Sequence, residues 1–427
     1  MKMRYTALAV ATAMTASLGL AACSGGSGSG TTATADGTIA LTWDMWGSSD
    51  TDLKWIEDTA NVVREQNPDI ELTTNVASWG DYFTKLTSNM SSGQLSCLTS
   101  MNGQKLSVFH PALSPLTDED LATAGIDPAD FTDGALDILT YDGTLYGIPY
   151  DVAAMLVYYN KDMLAETGTP EPVNGWTFDD FVATAKGATT DAHKGFGMGM
   201  GEFQWLALPI AKSGVQPVAA DGTLQLTDPK FVEAAEWYAS LATAEGVADP
   251  VPSASEAGWG EDQYSSANTA MAVDGTWNAQ GYFTNEKGFA AGAVTLPKNA
   301  DGSSVGLVLG SGFGIAATCQ GPEREAALKV LGSLVSKEAQ DLISSSGRSY
   351  PSRVESQPLY FDSLDEAYRE DVRTVFEAAF SGLQGQHVNE KWAQVSEYFT
   401  PNLVSVYTGD STMADMLGNA QKQFGQN

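Results

Sequence analysis

Residues 39–46, IALTWDMW, set Ile39, Leu41, Trp43 and Met45 on alternate positions, the two-residue period of a strand. Leu53, Ile56, Ala60 and Val63 then recur at helical spacing. That helix must stop at Asn67-Pro68, where proline pushes the residue before it out of the helical region. Residues 69–77, DIELTTNVA, alternate again through Ile70, Leu72, Thr74 and Val76. Two strands joined by a helix lie parallel, because the helix returns the chain to the end of the sheet from which it started. The opening domain is therefore predicted to be α/β with parallel strands, and ligands of such sheets sit beyond the strands' carboxyl ends. That rule points to Trp46 and Ser48, to Trp79, and to Asn102 and Gln104 behind a third strand.

The same alternation of elements continues. Thr177, three residues ahead of Asp180, is predicted to cap a helix over residues 178–186, and residues 228–246 form a capped amphipathic helix ended by glycine. A strand and a turn follow in residues 267–277, ANTAMAVDGTW. A further strand leads to Pro322 at the start of a helix that turns Leu328, Leu331 and Val335 inward. A chain of 427 residues exceeds what one core usually serves, so two domains are predicted.

Residues 1–22 read as a secretory signal peptide, with Lys2 and Arg4 ahead of a run of small and apolar residues. Leu20-Ala21-Ala22-Cys23 resembles the lipobox of bacterial lipoproteins, which implies that Cys23 is acylated; an ordinary signal peptide is the alternative. Residues 23–37 then form a flexible linker rich in Gly and Ser. The 53 acidic and 22 basic side chains leave a net charge of −31, which argues against nucleic acid as a partner. The three His show no ligand spacing, so neither a metal nor a cofactor is expected. Cys97 and Cys319 can pair outside the cytoplasm, and the sequence leaves open whether they do.

Taken together, these blocks resemble the solute-binding lipoproteins of ABC importers, in particular the carbohydrate-binding family that includes the maltodextrin-binding proteins. Residues 143–162, GTLYGIPYDVAAMLVYYNKD, carry the resemblance most specifically, supported by NPDIEL, AMAVDGTW and GFGIAATCQGPEREAALKVLGSLVSKEAQ ahead of GRSYPSR. The resemblance implies the two-lobe periplasmic-binding-protein fold of type II, a hinged clamp. Lobe 1 would hold residues 38–150 and 308–352, and lobe 2 residues 151–307 and 353–427. It also implies an extracellular receptor, monomeric and lipid-anchored at the outer face of the cell membrane, that hands an oligosaccharide to an ABC permease.

A sugar offers an apolar face and a rim of hydroxyls, so its site needs aromatic surfaces and a few fixed polar groups. Trp277 and Trp392 are the stacking candidates that the resemblance suggests, Trp46 joins them from its place after the first strand, and Trp79, Trp205 and Phe203 serve equally well as ligand contacts or as packing. The polar candidates are Ser48, Asn102, Gln104, Asp151, Glu202, Asn278 and Ser311. Asp151, at the expected crossover, can accept from two sugar hydroxyls or can fix a loop backbone. Arg353 reads as a brace of the inter-lobe segment. The maltodextrin binders' polar cluster is replaced here by Trp46-Gly47-Ser48-Ser49, which counts against maltodextrin itself. A secreted carbohydrate-active enzyme and a lectin without transport are the other classes. Residues 302–306 match Gly-x-Ser-x-Gly, but no helix follows the serine, so they read as a turn.

Overall fold

The computed structural model describes residues 38–425. Its first sheet contains β1 (Ile39–Trp46), β2 (Ile70–Ala77), β3 (Leu98–Asn102), β4 (Gly147–Pro149) and, from much later in the chain, a strand at Ser311–Ile315. A second sheet is built from β5 (Met155–Asn160), β6 (Met271–Gly275) and β7 (Ala291–Thr295), which makes the late strand of the first sheet β8.

The helix between β1 and β2, Asp50–Gln66, begins at a capping box. Ser49 accepts from the Asp52 amide while the Asp52 carboxylate accepts from the Ser49 amide. It ends at Asn67, and β1 and β2 pair in parallel from Ile39 opposite Ile70 to Trp46 opposite Ala77. The first sheet runs β2-β1-β3-β8-β4, parallel through β3. The expectation of a parallel sheet fails at its other edge. The chain comes back from the second lobe to form β8, which enters the sheet from the opposite end and pairs antiparallel with β3 and β4. The sheet is mixed, and its core gathers Leu41, Trp43, Leu98, Phe313 and Leu331.

The second sheet, β6-β5-β7, explains why MLVYYN is buried throughout. Met155, Val157 and Tyr159 enter one core and Leu156 and Tyr158 another, so both faces of β5 are covered. Thr177 and Asp180 form the predicted capping box, and Asp228 caps the helix Pro229–Thr243. The Gly-x-Ser-x-Gly segment is a turn, with Gly302 at φ 85° and the Ser303 amide donating to Asp301.

Cys97 and Cys319 are joined in a disulfide. They flank the β3–β8 pair, where the Ala316 amide also donates to the Cys97 carbonyl. Arg353 ion-pairs with Asp130 and donates to the Val335 carbonyl, tying its segment to lobe 1.

Candidate functional site

Three stretches of chain run side by side where one core gives way to the other. The Tyr150 and Asp151 amides donate to the Ser311 carbonyl, Ala153 and Leu309 exchange both backbone bonds, and the Val152 amide donates to the Tyr350 carbonyl. The carboxylate of Asp151 ties all three together. Its Oδ1 accepts from the Ser311 amide at 2.7 Å and its Oδ2 from the Ser349 hydroxyl at 2.6 Å. Burial pushes this carboxyl up to about 6, against the pull of those two donors and of Arg348.

Above this crossing lies a cavity of about 560 Å³ with walls from both lobes. On the first lobe, Trp46 ends β1 and meets the Trp79 ring edge-on at 5.1 Å, with Tyr82 and Phe83 packed behind. Trp46 is nearly covered, whereas Trp79, first residue of the helix Trp79–Ser92, keeps 44 % of its surface exposed. Asn102 ends β3 and caps the helix Gly103–Phe109. Its oxygen accepts from the Gln104 amide and its Nδ2 donates to the Ser311 hydroxyl at 3.1 Å, which fixes three wall residues at once. Arg348 closes this side. Its guanidinium lies 4.3 Å over the Trp55 ring, and its Nε donates to Asp52 at 2.7 Å. Burial raises the Asp52 carboxyl, but the Arg348 charge and the Ser48 and Ser49 amides outweigh it and hold the group below its ordinary value.

On the second lobe, Trp277 stands just past the end of β6, with its ring folded back over Gly275. A Cβ on that glycine would lie 2.2 Å from the indole. Beside it are Asn278, Gln204 and Glu202. The Glu202 carboxylate accepts from the Trp392 indole at 2.6 Å and from the Ser396 hydroxyl at 2.8 Å.

The profile of the bacterial extracellular solute-binding proteins matches residues 59–371, well over half of the chain. The chain belongs to that family. Among its relatives is the lactose-binding protein of Rhizobium radiobacter, 23 % identical over 231 residues, which make up 52 % of this chain and 53 % of the relative. The chain spans about half the length of the curated relatives it matches. An ABC substrate-binding protein of Listeria monocytogenes, solved with cycloalternan, superimposes with a TM-score of 0.77 at 22 % identity, covering 90 % of this chain and 97 % of that one. A Mycobacterium tuberculosis protein solved with glycerophosphocholine gives 0.75 at 18 % identity, covering 89 % and 96 %. These two share the two-lobe fold.

In this solute-binding protein the cavity wall brings together Trp46, Trp79, Asn102, Gln104, Asp151, Glu202, Phe203, Trp277, Asn278 and Ser311. Three of the residues singled out in the sequence stand elsewhere. Trp392 is only 2 % exposed and reaches the site solely through its bond to Glu202, because its helix, Trp392–Tyr407, turns this residue into the core. Ser48 is exposed outside the wall, and its amide is spent on Asp52. Trp205 is core, packed edge-on against Phe399.

Sequence reasoning missed Asp52, Lys105, Tyr150, Gln204, Arg348, Ser349 and Ser396. The Ser-x-x-Asp capping pattern directly after β1 could have flagged Asp52. Arg348 and Ser349 carried no local signal, since only the third crossing brings them to the site. The signal peptide and the acylated Cys23 expected from the sequence lie outside the described residues.

Proposed function

We propose that the protein captures a carbohydrate, an oligosaccharide in particular, in the cavity between its lobes and delivers it to an ABC permease. The observation that carries this reading is the chemistry of the two walls. Trp79 and Trp46 on one side and Trp277 on the other give flat apolar surfaces, and amides, hydroxyls and carboxylates stand between them. The Rhizobium relative named for lactose and the Listeria structure with cycloalternan point the same way. The lobes divide at the boundaries given above, 38–150 with 308–352 and 151–307 with 353–427. The cores change within two residues of these boundaries: Val152 still packs in the first core and Ala153 in the second, and on the return Leu309 is still in the second core and Phe313 in the first.

The site binds and does not turn its ligand over. Glycoside hydrolysis needs one carboxyl group to donate a proton and a second to attack or to activate water. Here Asp52, Asp151 and Glu202 each spend their oxygens on donors from the protein itself. The receptor is a monomer, held by a lipid on Cys23 at the outer face of the membrane, with residues 23–37 as the tether.

Calorimetry of the protein against oligosaccharides of different linkage tests this reading, with glucose, glycerophosphocholine and a peptide mixture as controls. Saturable one-to-one heat with one oligosaccharide and no product formed is the expected result. Binding of glycerophosphocholine or peptide, with no response to any sugar, would keep the receptor and discard the carbohydrate.

A further inference from the structure

β6 is apolar on both faces except at Asp274. Met271 and Val273 enter one core and Ala272 the other, and Asp274 pairs with Leu156 of β5, itself wholly buried. Asp274 has no exposed surface at all, so its charge has lost its water and must find donors within the protein. It has four. Oδ1 accepts from the Gly275 amide at 2.8 Å and from Gln204 Nε2 at 3.1 Å, and Oδ2 from Asn278 Nδ2 at 2.6 Å and from the Tyr282 hydroxyl.

Gln204 and Asn278 are the two of these that also line the cavity, in company with Trp277. A carboxylate can only accept hydrogen bonds. It therefore decides which end of each amide turns toward it, and flipping either amide would set a carbonyl oxygen against a carboxylate oxygen. Asn278 is exposed, so without such an anchor its side chain would keep the rotamer freedom of any surface residue.

We propose that Asp274 is a positioning residue that locks the amides of Gln204 and Asn278, leaving the carbonyl oxygen and one N–H of each for the ligand, so that this end of the site selects groups that both donate and accept hydrogen bonds. Hydroxyls are the class that fits. The inference rests on the cavity being the ligand site, and it deepens the carbohydrate reading by naming the atoms that would read the hydroxyl rim.

A second buried acid bears on the same charge. Glu261 lies in the helix Trp259–Ser265, which packs on β6, and its Oε2 has no hydrogen-bond partner. Burial, then the charge of Asp274, pushes the Glu261 carboxyl up to about 8. The other titratable groups that act on the pair are Tyr282, Tyr158 and Tyr238, whose hydroxyls burial raises, and Asp262 on the same helix as Glu261. Burial also pushes the Asp274 carboxyl up, against the pull of its four donors.

Side-chain amide NMR of the ligand-free protein tests the lock directly. In the wild type, the Gln204 and Asn278 NH₂ pairs are expected to be shifted and slow to exchange. In Asp274→Asn, which can no longer accept from both amides, at least one pair should revert to the exchange of an exposed side chain while thermal unfolding stays cooperative. Free-exchanging amides in the wild type, or amides unchanged in Asp274→Asn, would overturn the proposal. The exchange of the wild-type amides decides the matter even if the variant fails to fold.

Calorimetry with lactose and maltotriose supplies a second arm, in which Asp274→Asn weakens binding about tenfold for whichever sugar the wild type takes. If the wild type binds no sugar of the full oligosaccharide panel while its amides are locked, the positioning role stands and the carbohydrate reading is what falls.

Discussion

Gly275 leaves room for a tryptophan. The ring of Trp277 fills the space that any side chain at Gly275 would need, and the backbone there, at φ −83°, asks nothing special of glycine. Gly275→Ala is therefore expected to act through the ring: it displaces the indole and weakens ligand binding much as Trp277→Ala does. If the indole stacks on the ligand, removing it costs about 1–3 kcal/mol of binding free energy. Calorimetry on both variants checks this, and unchanged affinity in a folded Trp277→Ala would take the residue out of the site. Asp151 makes a different prediction. Its carboxyl sits at about 6 when folded, above the ordinary aspartate value of 3.8, so the folded state holds the proton more tightly than the unfolded chain. Its contribution to stability is fully present below pH 4 and is lost as the pH rises through 6. Asp151→Asn should flatten that part of the stability profile, measured by urea unfolding between pH 4 and 7. Asp120, held down to about 2 chiefly by its bond from Arg324, tilts the profile the other way, through stability that is lost as the pH falls below 4.

Among the elements, the β3–β8 pair carries most of the architecture, because it joins segments separated by the whole of the second sheet. The Cys97–Cys319 disulfide clamps that pair across a separation of 222 residues. Closing so long a loop restricts the unfolded chain strongly, and losing the bridge is expected to cost about 2–5 kcal/mol. Denaturant unfolding of the doubly substituted Cys97→Ser, Cys319→Ser protein measures it, with ligand affinity expected to stay close to wild type because neither cysteine lines the cavity. Helix starts follow local rules more simply. Thr177→Ala removes one side of a capping box and should cost about 1 kcal/mol, read from the same unfolding curves.

For the whole molecule, two lobes joined by three adjacent stretches of backbone can swing about that crossing more easily than either lobe can deform. With aromatic surfaces on both walls, a ligand that touches both favours closure by as much as it binds the closed form better than the open one. Small-angle scattering should show the radius of gyration fall on saturation with the ligand found by calorimetry. In Trp277→Ala the fall should need more ligand, since one wall has lost its contact. A radius that does not move on saturation would argue for a rigid lectin-like site.

Several parts of this protein were legible in the chain alone, for reasons that are local. Alternation and helical spacing are set by which face of an element meets the core, so β1, β2 and the helix between them could be read directly, as could the capping boxes at Thr177 and the continuous apolar run of β5. The rule that ligands gather beyond strand ends led to Trp46, Trp79, Asn102 and Gln104, and the resemblance led to Trp277 and Asp151; all six line the cavity. The remaining features depend on pairs of residues far apart in the chain. The antiparallel entry of β8, the bridge between Cys97 and Cys319, and the arrival of Arg348 beside Asp52 are contacts across 200 residues or more, which no local period encodes. The tertiary structure likewise decided against Trp392, since an aromatic on an amphipathic helix looks the same in sequence whether its helix turns it to the ligand or to the core. It also decided the role of Asp274: a lone acid in an apolar strand signals a buried charge, but only the fold brings Gln204, Asn278 and Tyr282 to surround it.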